Sequence, residues 1–309
     1  MAKPNLAIGV ALALVCLLLL GVLPVVANSR PAGTDALTFA LFLSVWQVAF
    51  ALPLLAAGPL RGRPGILAAD LPPGLRRRTL GVILLTGAIF GLSTLLYVVS
   101  VEKAGAVSAA IAMQAYPLFA IAMESLFLKQ RKTVPELALT GVMLVALTHL
   151  ATAGTWRVAG FSPWFLAALA VPFLWSIAHI IIREALGRTP ITPAQVTFFR
   201  VLVSTLFLGG VTAAMGGPDP AWADRDFQAA ALLMGLVYYL ELVFWFHALR
   251  HITVSLASTI TVPWPALTMV LAILFLEARV EAYQIIAFAV VAASIYGLLF
   301  LEARKGRGG

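Results

Sequence analysis

The chain has 309 residues, 61% of them hydrophobic and 11% charged, with a formal net charge of +8 and a mean hydropathy of +0.99. Soluble domains carry about a quarter charged residues, so this balance excludes an ordinary soluble enzyme and marks a membrane protein. The positive charge does not point to nucleic acid, because the basic residues lie between apolar runs and form no domain of their own.

A helix needs roughly 20 apolar residues to cross the hydrocarbon of a bilayer. Ten such spans are predicted, all α-helical, at 6–27, 36–57, 79–101, 105–128, 134–153, 163–182, 193–215, 227–249, 254–276 and 282–301. The first is too long for the apolar core of a secretory leader and reads as a span. Pro24 is expected to kink its outer end. Residues 58–78 are the longest loop, rich in Gly, Pro and Arg, with Arg76, Arg77 and Arg78 suited to anionic headgroups. A turn at Glu102-Lys103-Ala104 makes spans three and four a hairpin. Of the 21 Lys and Arg residues, Arg200 lies within a span, and Arg30, Lys103, Arg157, Arg225 and Arg279 fall on one side. All the others fall on the opposite side, which the positive-inside rule assigns to the cytoplasm together with both termini. The lone cysteine, Cys16, lies in an apolar run and serves packing.

Tyr97–Arg131 and Phe244–Arg279 match each other at a separation of about 147 residues. Lys103 falls on Arg250 and Val107-Ser108 on Val254-Ser255. After one inserted residue, Tyr116-Pro117 falls on Trp264-Pro265 and Leu126-Phe127-Leu128 on Leu274-Phe275-Leu276. A self-match at this period indicates two fused halves, divided here as 1–155 and 156–309. Each half has five spans, and an odd number makes the second enter the membrane upside down. Inverted repeats are the signature of secondary transporters, which bind substrate near the midplane between their halves.

Few residues could carry chemistry. Glu241 stands mid-span, where a carboxylate costs about 2.5–3.5 kcal/mol and needs a cavity or a partner. Tyr238, Glu241, Leu242 and Trp245 share one helical face. Glu241 either meets a cation or a coupling proton, or pairs with Arg200, or stays neutral within the bundle. Arg200 cannot lose its proton; it grips a substrate carboxylate or locks spans seven and eight. Trp175 and His179 form an i, i+4 pair, whereas His149 has no aromatic companion at helical spacing. Pro117, Pro263 and Pro265 each remove a helical hydrogen bond and free the carbonyls of Met113, Thr259 and Thr261. Broken backbone at membrane depth is tolerated where protein or a wet cavity satisfies it. Enzyme motifs are missing: the sequence has no HExxH, no GxxxxGK[ST] and no GxGxxG. Neither cofactor nor metal is expected.

With these residues in view, the chain resembles the EamA-type branch of the drug/metabolite transporter superfamily. The resemblance rests on FHALRHITVSLASTITVPWPALTMVLAILFLEARVEAYQ and FLWSIAHIIIREAL. Glu277 and Gln284 match a glutamate and glutamine pair of the EamA pattern, and Arg200 matches its span-seven arginine. Departures are Ala287 for the usual glycine, Trp46 or Gln47 where the first repeat often has arginine, and no tryptophan in span one. The aromatic faces and long first loop look most like the YddG-type exporters of aromatic amino acids.

That resemblance implies an inner-membrane exporter of aromatic or bulky neutral amino acids, working by alternating access. Its partners would be a small-molecule substrate and the lipid bilayer, and a monomer is compatible with it. The cavity is expected to be walled by spans three, four, eight and nine, with spans one and six as gates. Trp46, Tyr97, Gln114, Trp175, His179, Tyr239, Glu241, Trp245 and Trp264 are expected to line it, with Pro117, Pro263 and Pro265 as breaks or gates. Alternatives are a proton-coupled exporter of hydrophobic cations and a non-transporting membrane scaffold.

Overall fold

A computed structural model describes residues 5–60, 65–68, 71–116, 118–119, 133–157, 162–188, 191–248, 251–252, 257 and 260–305. Among these residues every regular element is helical. The α-helices with both ends among the described residues are α1 (Leu6–Asn28), α2 (Ala36–Leu60), α3 (Pro73–Ala104), α4 (Ala106–Met113) and α5 (Val134–Ala151), then α6 (Pro163–Arg188), α7 (Pro193–Ala214), α8 (Arg225–Ala248), α9 (Trp264–Leu276) and α10 (Ala282–Lys305). Six helices among the described residues are long and apolar enough to cross a membrane: α1, α2, α3, α5, α7 and α8. Leu84, Leu206 and Phe275 are at least 60% exposed. Such outward apolar side chains belong in lipid rather than water, and the chain is a multi-pass membrane protein.

The chain forms two compact units. One comprises residues 1–28, 100–173 and 241–309; the other comprises 29–99 and 174–240. Each unit therefore takes segments from both sequence halves; one boundary follows the end of α1, and the others fall inside α3, α6 and α8.

In the first unit, α1 and α9 run parallel, with Gly9 against Ile252 and Gly21 against Leu267. A Cβ at Gly21 would lie 2.6 Å from Leu267, so glycine permits this close approach. Thr268 Oγ1 donates to the Gly21 carbonyl at 2.9 Å. α5 and α10 are antiparallel, pairing His149 with Tyr283 and Leu139 with Gly297. Their N-termini are capped alike: Glu136 accepts from the Thr133 N–H at 2.7 Å, and Gln284 accepts from the Glu281 N–H at 3.0 Å. A side chain at the third helical position thus satisfies an N–H that the helix leaves unpaired. Gly105, at φ +83, turns the chain between α3 and α4 with no other loop residue.

In the second unit, α3 and α7 meet along Gly87-x-x-x-Gly91. A Cβ at Gly87 would stand 2.4 Å from Val203, and one at Gly91 would stand 2.8 Å from Phe207. Ser204 Oγ donates across this contact to the Gly87 carbonyl at 2.9 Å. Small residues that let helix backbones approach, aided by a hydroxyl, are the usual means of packing in lipid, where the hydrophobic effect gives no drive. α7 begins with a Thr192–Gln195 capping box and Pro193. Gln195 also accepts from the Ile66 N–H at 3.1 Å, which ties the short 3-10 turn at Gly65–Leu67 to this helix.

The expected loop at 58–78 is shorter than its composition suggests. Pro73–Arg78 is the first stretch of α3, because proline suits the opening of a helix where its missing N–H costs nothing. Arg76 lies inside this helix and donates to the Ala68 carbonyl at 2.7 Å. Pro24 lies within α1 without ending it.

Gly87→Val should destabilise the protein by about 1–3 kcal/mol through overpacking. Thermal unfolding in detergent should show a lowered Tm, whereas Gly81→Val, with nothing within 4 Å of the added Cβ, should leave Tm nearly unchanged.

Candidate functional site

The expected site residues divide between the two units. Trp46, Tyr97, Trp175, His179 and Tyr239 fall in the second; Gln114, Glu241, Trp245, Pro263, Trp264 and Pro265 fall in the first. Pro117 lies outside the described residues, as do Ser255, Ser258 and Thr259.

In the second unit the expected site residues fall into three groups. Phe50 on α2 lies between Trp46, at 6.4 Å between ring centroids, and Tyr239 of α8, at 6.3 Å. The Trp46 indole donates to Gln228 Oε1 at 3.0 Å, and Gly235 lies against its Cβ. Tyr97 is buried beside Tyr238, with centroids 6.5 Å apart. Such rings offer flat faces for stacking or for a cation.

The third cluster joins α3, α6 and α7. Arg200 is 7% exposed, and its guanidinium carbon sits 3.5 Å from the centroid of Phe90. His179 approaches the same ring at 5.6 Å. Trp175 and His179 were expected to act as a pair on one face of α6. Both find partners on α3, since the Trp175 indole donates to Ser93 Oγ at 3.1 Å and His179 packs on Phe90. A cavity of about 20 Å³ opens beside Arg200, lined also by Thr79, Val82, Ile83, Thr86, Ile182, Ile191 and Val196. It has room for about one water molecule. The Thr79 and Thr86 hydroxyls donate back to the Leu75 and Val82 carbonyls of their own helix. They therefore present lone pairs, complementary to water rather than to an anion.

In the first unit, Glu241 is 8% exposed, and its backbone carbonyl accepts from Cys16 Sγ on α1 at 3.7 Å. Trp245 packs against a core of Ala13, Ala248, Ile252 and Ala257. Trp264 and Pro265 are buried at the start of α9.

Two helix breaks meet here. α4 ends at Met113, and residues 114–115 form a turn before Tyr116 resumes helix; residues 262–263 form a turn directly before Trp264. The Gln114 amide spans the gap, donating from Nε2 to the Val262 carbonyl at 3.0 Å. That carbonyl lacks its helical partner because the Ala266 N–H donates instead to Pro263 O at 2.9 Å.

Sequence reasoning underrated Gln284 and His149. Gln284, named only as part of a pattern, reaches from α10 to α4 and donates to Ser108 Oγ at 2.9 Å. His149 does have an aromatic companion: Trp156 stacks on it at 4.7 Å and 22°. The chain folds back through positive φ at Ala153, Gly154 and Trp156, a path that counting along a helix cannot reveal. Among the described residues no group of three His, Cys, Asp or Glu could hold a metal.

The profile of the EamA-like transporter family matches residues 7–152 and again 162–300. No curated protein matches the sequence significantly. Among 26 matching chains of solved structure is one described only as the crystal structure of a protein. It aligns with a TM-score of 0.63 at 18% identity, covering 95% of this chain and 98% of its own. That similarity establishes a shared fold and nothing about substrate.

Phe90→Leu keeps most of the apolar volume but removes the ring face under Arg200. The expected cost is about 1 kcal/mol, read as a lowered Tm in detergent. Phe275→Leu, at a side chain 72% exposed, should leave Tm within error.

Proposed function

The chain belongs to the EamA-like transporter family, a family of membrane transporters of small molecules, and on that premise we propose that it exports aromatic or bulky neutral amino acids. The reading places it in the bacterial inner membrane as two inverted five-helix repeats, 1–155 and 156–309, with both termini cytoplasmic. The observation that carries the transport reading is the pair of breaks at residues 114–115 and 262–263. They occupy matching places in the two family-matched segments, and discontinuous helices of this kind form the substrate sites of secondary transporters. The preference for a flat or bulky side chain is supported by the rings of Trp46, Tyr97, Trp175, Tyr239, Trp245 and Trp264. Gln114, His179 and Glu241 add the polar groups that an amino acid requires. Pro263 and Pro265, with Pro117, keep the broken spans from closing into regular helix.

A second reading is favoured by one observation, the burial of Glu241 at mid-helix. An acid held there is suited to a proton or a cationic substrate, and the protein would then export hydrophobic cations against protons.

Purified protein in liposomes, offered labelled phenylalanine, tryptophan, alanine and a flat organic cation, separates these readings. Saturable flux of the aromatic amino acids without a pH gradient is expected, and Glu241→Gln should retain it. Cation flux that needs the gradient and vanishes in Glu241→Gln would transfer the assignment to proton antiport. Silence on all four solutes would favour a membrane scaffold.

A further inference from the structure

Resting on the repeat reading above, we propose that the Gln114 amide is a one-sided latch, stabilising one of the two opposite-facing states of the transport cycle and having no counterpart in the other. The register that sets Tyr116-Pro117 on Trp264-Pro265 also sets Gln114 on Val262. The structure agrees, because each residue opens the two-residue turn that precedes its resumed helix. Gln114 and Val262 are thus equivalent positions of the two repeats, and one hydrogen bond joins them. A contact between equivalent positions lies at the pseudo-twofold axis relating the halves.

Opposite-facing states of an inverted-repeat carrier are related by exchanging the conformations of the two halves. Exchange would turn this contact around: the side chain at 262 would have to donate to the carbonyl at 114. Valine has no donor. The Gln114 bond is buried, with Gln114 7% exposed, and water does not readily replace a bond lost in such a place. The state with Gln114 on Val262 therefore carries a stabilisation that its exchanged partner lacks. Gln114 acts in this way as a positioning residue for the cycle, irrespective of which solute is carried.

The ends of the first unit provide the readout. Ser108 and the Glu281–Gln284 turn lie at one end, joined by the bond from Gln284 Nε2 to Ser108 Oγ; Asn5 and His251 lie at the other, joined by a bond from the Asn5 N–H to His251 Nδ1. Hydrogen–deuterium exchange of peptides at both ends, on the full chain in detergent or nanodiscs without added solute, reports which end is open.

Gln114→Val should shift exchange at the two ends in opposite directions, by a ratio of roughly three- to tenfold. The swap Gln114→Val/Val262→Gln should reverse the wild-type pattern, and Val262→Gln alone should fall between. Parallel changes at both ends in Gln114→Val, or a swap that fails to reverse the pattern, would overturn the proposal and leave Gln114 a plain structural tie. If Gln114→Val does not fold, Val262→Gln decides: an unchanged ratio between the ends overturns the latch. The assay needs no substrate, so reversal without flux of any tested solute upholds the latch and removes the amino-acid export reading. Flux without reversal does the opposite.

Discussion

Every backbone N–H and carbonyl at membrane depth needs a partner, because lipid supplies none. Helices meet this requirement by themselves; the informative places are those where a helix is interrupted. At the break before α9 the Ala266 N–H donates to Pro263 O rather than to the Val262 carbonyl, and that carbonyl is satisfied from another segment by Gln114. The same demand is met at helix ends, where Glu136 and Gln284 cover the N–H groups of Thr133 and Glu281. Where backbone leaves the helical ladder, a side chain from the same unit thus takes up the freed group.

Lipid also removes the hydrophobic drive that packs helices in water, leaving close van der Waals contact and hydrogen bonds. Glycine is then a structural residue. Gly21 seats Leu267, Gly87 seats Val203, and Gly235 lies 2.7 Å, measured from an ideal Cβ, from the Leu43 carbonyl. Hydroxyls add bonds at these contacts, from Thr268 to Gly21 and from Ser204 to Gly87. Arg200 follows a related logic: a charge held away from water takes an aromatic face, Phe90, as part of its environment.

The functional reading inherits this economy. A polar or irregular element inside a membrane protein must be retained by contacts that a regular apolar helix would not need. Glu241, Gln114 and the proline pair at 263 and 265 are therefore the natural candidates for substrate handling and motion. The aromatic groups around Phe50 and Tyr97 add surfaces suited to a flat solute, whereas the small cavity beside Arg200 suits water.

The sequence by itself determined the membrane class and the helical character of the described residues, of which six helices are long and apolar enough to span. Apolar length and proline act locally, and local rules can be read from a string. The pairs Tyr116-Pro117 and Trp264-Pro265 match each other within the sequence. It misjudged the start of α3, because a basic, proline-bearing stretch looks like loop until Pro73 is seen to open a helix. It could not say which partner each polar group finds. Trp175 and His179 are neighbours on one helix face, yet they bond to Ser93 and pack on Phe90 of α3. His149 lacked an aromatic neighbour by helical count and acquired Trp156 through three residues at positive φ. The hydrogen bond from Gln114 to Val262, 148 residues apart, joins two helix breaks that meet only in the folded chain. Pairings of this kind are decided by packing among distant segments, and only the tertiary structure contains them.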